Sequence, residues 1–404
     1  MELANDLDLA VGLLALLVAA YAIVAVRLAR WSVSAAFSFM LIGAIIGGLG
    51  VGITVDDLPT PDTLSTLAEV TLALVLFAAA STIRLKRLEV DSHLVGRLLG
   101  IGLPLTLVLG TLVALGLFPG ISFGLALLIG ATLAPTDADL GQQVITNTSV
   151  PARVRRMLNV ESGLNDGIVA PVITIAIALA VFGDVNDMNP IIDAIVELTV
   201  AVIVGAVVGG AGRWLLIRAD LRKTTSHSSR QLATLALAVS AYFIAVGLDS
   251  SGFIAAFAAG LAFGMGKKER VESAVAFTEA QSVLLSIIVW LVFGVVVVGQ
   301  HVVGFDDPMV ILYGALALTI MRMVPVALAF IGSGFDRVTI LFMGWFGPRG
   351  LASVVFVLLG LEALEAAGVP SDPLGPVVAW TVMLSVVLHG FSATPLASWF
   401  GRYA

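Results

Sequence analysis

Polar side chains interrupt an apolar segment at residues 159–172, which reads NVESGLNDGIVAPV. Ser162 and Asp166 are four residues apart, as are Glu161 and Asn165. On a helix this spacing places each pair on one face. A charge in hydrocarbon costs at least about 2.5 kcal/mol, so these side chains need partners. The hydroxyl and carboxylate of Ser162 and Asp166 are hard oxygen ligands suited to a small cation, and Glu161 can hold an arginine.

A second polar segment, LAPTDADLG at residues 133–141, interrupts another apolar helix. The ring of Pro135 breaks the backbone hydrogen-bond ladder. Thr136 and Asp137 follow at once, which predicts an unwound turn at membrane depth. Such backbone is tolerated only where it is buried in protein or lines a polar cavity. We expect Asn165 to hydrogen-bond the Thr136 turn.

A matching break, GWFGPRGLAS at residues 344–353, contains Arg349 between glycine and proline residues. The N-terminus of a half-helix carries partial positive charge and its C-terminus partial negative charge. Asp137 can compensate the former and Arg349 the latter. Two broken helices at corresponding positions indicate a transporter built from inverted repeats.

Few other ionisable residues lie inside the apolar segments: Glu69, Asp139 and Arg322. For every intramembrane charge, an ion pair that only fixes helix packing is the alternative role, and it is the favoured one for Glu161, Arg322 and Arg349.

The elements that carry these residues are membrane spans. Of the 404 residues, 59% are hydrophobic and 12% charged, about half the charged fraction of soluble domains. A span needs about 20 apolar residues. The apolar pattern therefore predicts an all-α polytopic membrane protein with thirteen spans, at residues 8–28, 33–53, 63–82, 94–117, 121–147, 155–182, 190–217, 230–248, 250–266, 273–298, 308–331, 338–361 and 374–400.

Charge in the loops predicts the orientation. Nineteen of the 21 Lys and Arg residues lie in alternate loops or in the span ends that border them, and the other two, Arg322 and Arg349, lie in the middle of spans. The positive-inside rule then places the N-terminus outside and the C-terminus inside. The first ten residues have no basic segment, so we expect the first span to be retained, and we expect no long regulatory tail.

The scattered basic residues do not indicate nucleic-acid binding. The absence of cysteine excludes thiolate metal sites. The histidines, including His389, are interpreted as packing or surface residues.

The spans divide into two inverted six-helix repeats, about residues 8–182 and 230–400, joined by a linker helix at about 190–217. Together the motifs PTDA (135–138), ESGLND (161–166), GPRG (347–350) and VVLHGFSATPL (386–396) make the chain resemble the monovalent cation/proton antiporters, in particular the NhaP/NHE-type electroneutral sodium/proton exchangers. The resemblance implies the antiporter fold, a homodimer in the cytoplasmic membrane, and a moving core built around spans 3–6 and 10–13, with the remaining spans in the dimerisation part.

The resemblance also implies roles for individual residues. The Na⁺ or proton ligands would be Asp166, Asp137, Ser162 and Thr136, with Asn165 in support. Glu161 would form a structural ion pair, with Arg322 as its expected partner, and Arg349 would belong to the second crossover. Glu69 lies in the third span, where some members carry an acid near the ion. In this chain Pro135 precedes the Thr-Asp pair and Ala138 follows it, whereas many members read Thr-Asp-Pro.

The implied function is secondary active exchange of Na⁺ or Li⁺ for H⁺ through competition for Asp166, without an enzymatic reaction or a cofactor. Family branches with a second aspartate at the position of Asn165 are electrogenic, so Asn165 favours one cation per proton. The alternatives are K⁺/H⁺ or non-selective exchange by the same fold, a non-transporting sensor of antiporter ancestry, and an intramembrane aspartyl hydrolase using Asp137 and Asp166. Cation-dependent proton flux discriminates among them.

Overall fold

The computed structural model describes residues 2–31, 33–49, 61–83, 92–138, 140–183, 190–265, 268–299 and 307–404, and these residues form helices and short connections without a strand. The first repeat contains α1 (Glu2–Arg30), α2 (Ala35–Leu49), α3 (Pro61–Thr82), α4 (Ser92–Arg97, a π-helical turn at Leu98–Gly102, and Leu103–Leu117), α5a (Phe123–Thr132), α5b (Gln142–Ile145) and α6 (Ala152–Phe182). The linker is α7 (Pro190–Leu221). The second repeat contains α8 (His227–Val246), α9 (Gly252–Gly264), α10 (Lys268–Phe293 and a π-helical turn at Gly294–Val298), α11 (Pro308–Leu318 and Ile320–Ala329), α12a (Arg337–Trp345), α12b (Leu351–Ala366) and α13 (Leu374–Tyr403).

Each predicted span coincides with one helix or with a broken pair, so the predicted fold class is confirmed. Within the described ranges, eight helices are long and apolar enough to cross a bilayer, and four shorter apolar helices accompany them. The two predicted breaks are present. The chain leaves the helical conformation after Thr132 and again after Trp345. The fifth span is therefore not one helix from 121 to 147, because Pro135 ends its regular hydrogen bonding.

Short polar side chains start several of these helices. Ser122 accepts a hydrogen bond from the backbone N–H of Leu125 at 3.1 Å and begins α5a. Asp336 accepts from the N–H groups of Val338 and Thr339 at 3.1 and 3.3 Å and begins α12a. Such caps satisfy donors that the first helical turn leaves free. They set the start of both half-helices that lead into the breaks.

The two repeats pack on each other through equivalent glycine contacts. Gly43 and Gly47 on α2 lie directly against the backbone of α10. Gly260 and Gly264 on α9 lie against the backbone of α3 in the same way. Because α2 and α9 occupy the same position in their repeats, as do α3 and α10, the pairing is reciprocal. This reciprocity is the expected mark of a pseudo-two-fold relation between the halves.

The buried side chains also divide by helix. One hydrophobic cluster takes its helical residues from α4, α5b, α6, α11, α12a and α13. Another takes them from α3, α8, α9 and α10. The largest cluster joins helices of both groups. We call the first six helices, with α5a and α12b, the crossing group, and α3, α8, α9 and α10 the panel group.

Candidate functional site

The two helix breaks cross and bond directly to each other. The backbone N–H of Asp137, in the first break, donates to the carbonyl oxygen of Pro348, in the second break, at 2.8 Å. This bond satisfies one donor and one acceptor that the loss of regular helix had released. Unwound backbone at this depth needs such partners, since no water is available in hydrocarbon.

The Asp137 carboxylate caps the half-helix that follows the opposite break. Its Oδ2 accepts a hydrogen bond of 2.9 Å from the N–H of Leu351, the first residue of α12b. Its Oδ1 accepts from the N–H of Leu140 at 3.3 Å. A carboxylate at a helix N-terminus stabilises the partial positive charge there. Asp137 therefore balances α12b while belonging to the first repeat.

Arg349 does the converse at the C-terminal end of α5a. Its Nη1 donates to the carbonyl oxygens of Ala134 and Pro135 at 3.0 and 3.1 Å, and its Nη2 donates to that of Ala317 at 3.3 Å. The side chain is fully buried. Carbonyls at the ends of half-helices carry partial negative charge, so they compensate a cation that would otherwise be costly in the membrane.

The glycines of GPRG are explained by the side chains beside them. A Cβ at Gly350 would lie 1.8 Å from Oδ2 of Asp137, and a Cβ at Gly347 would lie 2.4 Å from Nε of Arg322. Neither distance is compatible with an added carbon. The second break is therefore built around two charged side chains, one from the first break and one from α11.

Three polar side chains of the predicted site come together next to the crossing. Thr136 and Ser162 share a hydrogen bond of 2.9 Å between their hydroxyl groups. Asn165 donates from Nδ2 to the Thr136 hydroxyl at 2.7 Å. The Oδ1 of Asn165 is buried and accepts no hydrogen bond from the part of the chain that the structure describes. A buried acceptor in that condition is suited to a water molecule or a cation.

Asp166 lies one helical turn after Ser162, on the same face of α6. Asp166 is partly buried. The next residue, Gly167, packs against the ring of Phe257 on α9, where a Cβ would come within 3.1 Å. This turn of α6 thus contacts the panel group through Gly167, and one turn earlier Ser162 bonds the Thr136 hydroxyl.

Glu161 and Arg322 form a two-pronged ion pair. Nη1 and Nη2 of Arg322 donate to Oε1 and Oε2 of Glu161 at 2.5 and 2.9 Å. Their relative exposures are 3% and 4%, so the pair is out of water. The parallel geometry is the strongest arrangement for an arginine and a carboxylate. It joins α6 to α11 and gives Glu161 a partner that is not a transported ion.

Two supporting residues had no assigned role in the sequence. Ser385 accepts a hydrogen bond from the backbone N–H of Arg349 at 2.7 Å. His389 lies 2.8 Å through Nε2 from the carbonyl oxygen of Trp345 and 3.3 Å through Nδ1 from the Ser385 hydroxyl. Nδ1 also lies 2.9 Å from the carbonyl oxygen of Ser385. A neutral imidazole carries one N–H, so it donates to only one of the two carbonyl oxygens that it faces. The available signal was two polar residues four apart in an apolar span.

Glu69 makes none of the hydrogen bonds described above. Its hydrogen bond is to Tyr242 on α8, within the panel group, and sequence reasoning gave Tyr242 no role. Asp139 and His301 lie outside the described residues.

Within the described residues, the helices coincide with the thirteen predicted spans. Two repeats with reciprocal packing and two crossed broken helices define the class of inverted-repeat membrane transporters. Within that class the chain belongs to the sodium/hydrogen exchanger family, whose transmembrane family model matches residues 12–399. The family predicted from the four motifs is therefore confirmed.

Individual relatives agree with this assignment. Na(+)/H(+) antiporter 2 of Zygosaccharomyces rouxii is 26% identical over 325 residues, which are 71% of this chain and 39% of the relative. Na(+)/H(+) antiporter 1 of Methanocaldococcus jannaschii is 25% identical over 298 residues, which are 69% of this chain and 67% of the relative. The chain thus spans well under two thirds of some curated relatives. The structure of the sodium proton antiporter MjNhaP1 from M. jannaschii at pH 8 superposes with a TM-score of 0.81 at 23% identity, covering 98% of this chain and 99% of that one.

The Glu161–Arg322 pair generates a stability prediction. Glu161→Gln removes a buried negative charge and leaves the Arg322 cation uncompensated, and breaking a buried pair in this way costs about 3–5 kcal/mol. We expect a lower melting temperature in detergent with little change in apparent Na⁺ affinity. Glu365→Gln, at an exposed acid on α12b, is the control. Unchanged stability together with lost affinity would instead make Glu161 an ion ligand.

The close approach at Gly350 generates a second prediction. Gly350→Ala forces Asp137 away from the N-terminus of α12b, so we expect a loss of stability of about 1–3 kcal/mol and impaired exchange. Gly141→Ala is the matched control in the first break, because its Cβ would be 3.5 Å from its nearest neighbours. Thermal melts and flux assays of both proteins measure the difference. Equal behaviour of the two variants would refute the proposed contact.

Proposed function

We propose that the chain exchanges Na⁺, or Li⁺, for H⁺ across the cytoplasmic membrane at Asp166. This proposal rests on three oxygen-bearing side chains that lie together beside the crossing, those of Thr136, Ser162 and Asn165. Ser162 is one helical turn before Asp166, and Asn165 is its neighbour in the sequence. Membership of the sodium/hydrogen exchanger family supports it, and the relatives' names supply the ions.

The mechanism is competition for one carboxylate. Asp166 holds either a proton or a cation that has lost water, and hydroxyl and amide oxygens replace the lost hydration. Because the two ligands exclude each other, a proton gradient drives the cation in the opposite direction without ATP. Thr136 and Ser162 are the proposed neighbouring ligands, and Asp137 contributes through the position of the Thr136 turn.

The charge balance of the site supports one cation per proton. Asp137 is engaged with the N–H groups of Leu351 and Leu140, and Arg349 with the carbonyls of α5a. Asn165 is uncharged. In this proposal Asp137 and Arg349 keep their charges through the cycle, so Asp166 alone changes its proton occupancy.

Alternating access is proposed to be an elevator movement of one helix group against the other. The crossing group holds both broken helices and Asp166, so it is the moving part. The family resemblance implied that α3 and α10 belong to the moving part as well. Their packing in the panel group, with glycine contacts to α9 and α2, favours their staying with the fixed part. A cross-link between α3 and α9 that abolishes exchange would restore the original division.

The linker helix α7, whose Gly205 and Gly209 pack on the backbone of α9 in the panel group, is the proposed surface for a homodimer. α7 leaves apolar side chains exposed along its length, among them Ile195, Ile203 and Val207, which suits contact with lipid or a second copy. Monomers alone in native mass spectrometry from lipid nanodiscs would contradict the dimer.

The central prediction concerns Asp166→Asn. The amide cannot exchange a proton near neutral pH, so we expect Na⁺-dependent proton flux in proteoliposomes to disappear while the melting temperature stays close to the wild-type value. Asp249→Asn, at an exposed acid after α8, should retain flux. Residual flux in purified Asp166→Asn protein would overturn the competition mechanism, and a flux series with Na⁺, Li⁺ and K⁺ on the wild type gives the selectivity.

One-for-one exchange predicts that the membrane potential does not change the rate. If one Na⁺ replaces one H⁺, a membrane potential of about 100 mV, worth about 2.3 kcal/mol per charge, does no work on the cycle. Exchange should therefore proceed at the same rate with and without a valinomycin-clamped diffusion potential. Acceleration by the potential would show a second titrating group, with Asp137 as the first residue to substitute.

A further inference from the structure

We propose that an arginine pocket in the panel region binds a phosphate group, most suitably the headgroup phosphate of an anionic lipid. The pocket lies at the end of the bundle where α7 ends and α8 begins, which the loop charges assign to the cytoplasm. It is remote in sequence from the crossing, and the inference does not depend on the ion that is exchanged.

Three helices supply the charged groups of the pocket. Arg213 and Asp220 come from α7, Arg230 from α8 and Arg270 from α10. The remaining lining is apolar and consists of Leu216, Ile217, Phe263, Val271 and Ala274. Guanidinium groups next to apolar side chains are suited to a lipid, because a lipid carries a phosphate group next to its hydrocarbon chains.

The lining residues carry more positive than negative charge. Asp220 pairs with Arg230 at 3.0 Å and lies 3.8 Å from Arg270. Its one carboxylate thus faces two arginines, and Arg213 adds a third cation to the same pocket. An ion-pair cluster that only tied α7, α8 and α10 together would not require the third arginine. The lining is therefore suited to an added anion.

Two donors of the pocket lack acceptors. The Nε atoms of Arg213 and Arg230 are buried and make no hydrogen bond to any residue within the described ranges. Buried donors in folded proteins are normally satisfied by protein, water or a bound ion. A phosphate offers several acceptor oxygens, and arginine binds it through parallel hydrogen bonds.

Neighbouring side chains place the pocket at headgroup depth. Trp214, next to Arg213 on α7, is 56% exposed, and the guanidinium of Arg218 lies 5.3 Å from the centre of its ring. Exposed tryptophan beside arginine is typical of the membrane–water interface. Leu215 and Leu221 on the same helix are also exposed. Basic pockets between helices at this level are suited to anionic headgroups.

The experiment compares lipid-dependent stability of the full chain, purified in a neutral detergent. The probes are dioleoyl-phosphatidylglycerol, dioleoyl-phosphatidylcholine as the zwitterionic lipid, and inorganic phosphate. We expect phosphatidylglycerol to raise the melting temperature in a saturable way and phosphatidylcholine not to do so. A saturable shift with inorganic phosphate that competes with phosphatidylglycerol would assign the site to free phosphate, whereas a shift with the lipid alone assigns it to the headgroup.

Arg213→Gln and Arg270→Gln test the pocket, and Arg218→Gln is the control, since Arg218 lies on the same helix but outside the pocket lining. Loss of one charged contact should raise the phosphatidylglycerol concentration for half of the shift roughly tenfold, whereas Arg218→Gln should match the wild type. The melting temperature of each variant in phosphatidylglycerol is compared with its own melting temperature in phosphatidylcholine. If Arg213→Gln does not fold, Arg270→Gln, at the exposed rim of the pocket, remains as the test variant. The absence of a shift in the wild type, or an equal lipid dependence in all three variants, would overturn the proposal.

Discussion

The exchange of charge between the two broken helices is the interaction on which the rest of the structure depends. Asp137, from the first break, compensates the N-terminus of α12b, and Arg349, from the second, compensates the C-terminal end of α5a. Each break thus supplies the charge that faces a half-helix end of the other break. The crossing therefore holds the two repeats together at the depth where unpaired backbone groups are most costly.

A second ring of contacts supports this crossing. The Glu161–Arg322 pair joins α6 to α11, and Arg322 also lies against Gly347 in the second break. On α13, Ser385 accepts from the N–H of Arg349, and His389 lies within hydrogen-bond distance of the Trp345 carbonyl oxygen, on the other side of the same break. Charged and polar residues that are far apart in the sequence thus form one connected set of contacts around the second break. Glu161 connects this set to α6, the helix that carries Ser162 and Asn165.

Much of this arrangement could be predicted because its causes are local. Proline and glycine inside apolar spans predicted where the helices break, and the end charges of half-helices predicted which sign of residue would serve each break. Reciprocity could not be predicted in the same way, since which end meets which side chain depends on how the helices cross. Glu69 shows the same limit, because its partner Tyr242 lies 173 positions further along the chain. The grouping of α3 and α10 also follows from close packing, which a hydrophobic pattern does not encode.

Compensation inside the crossing has a consequence for movement. Because Asp137 and Arg349 are balanced by backbone groups of α12b and α5a, which belong to the same helix group, their partners travel with them. The proposed displacement of that group against the panel group would leave these two charges in an unchanged environment. The surface between the groups, at Gly167 and Phe257, is apolar and lies next to Asp166. In the proposed mechanism, a proton or a cation on Asp166 removes the carboxylate charge that would otherwise cross this apolar surface alone, at a cost of several kcal/mol. On this argument the occupied forms move more readily than the empty form, and that difference is what converts a binding site into an exchanger.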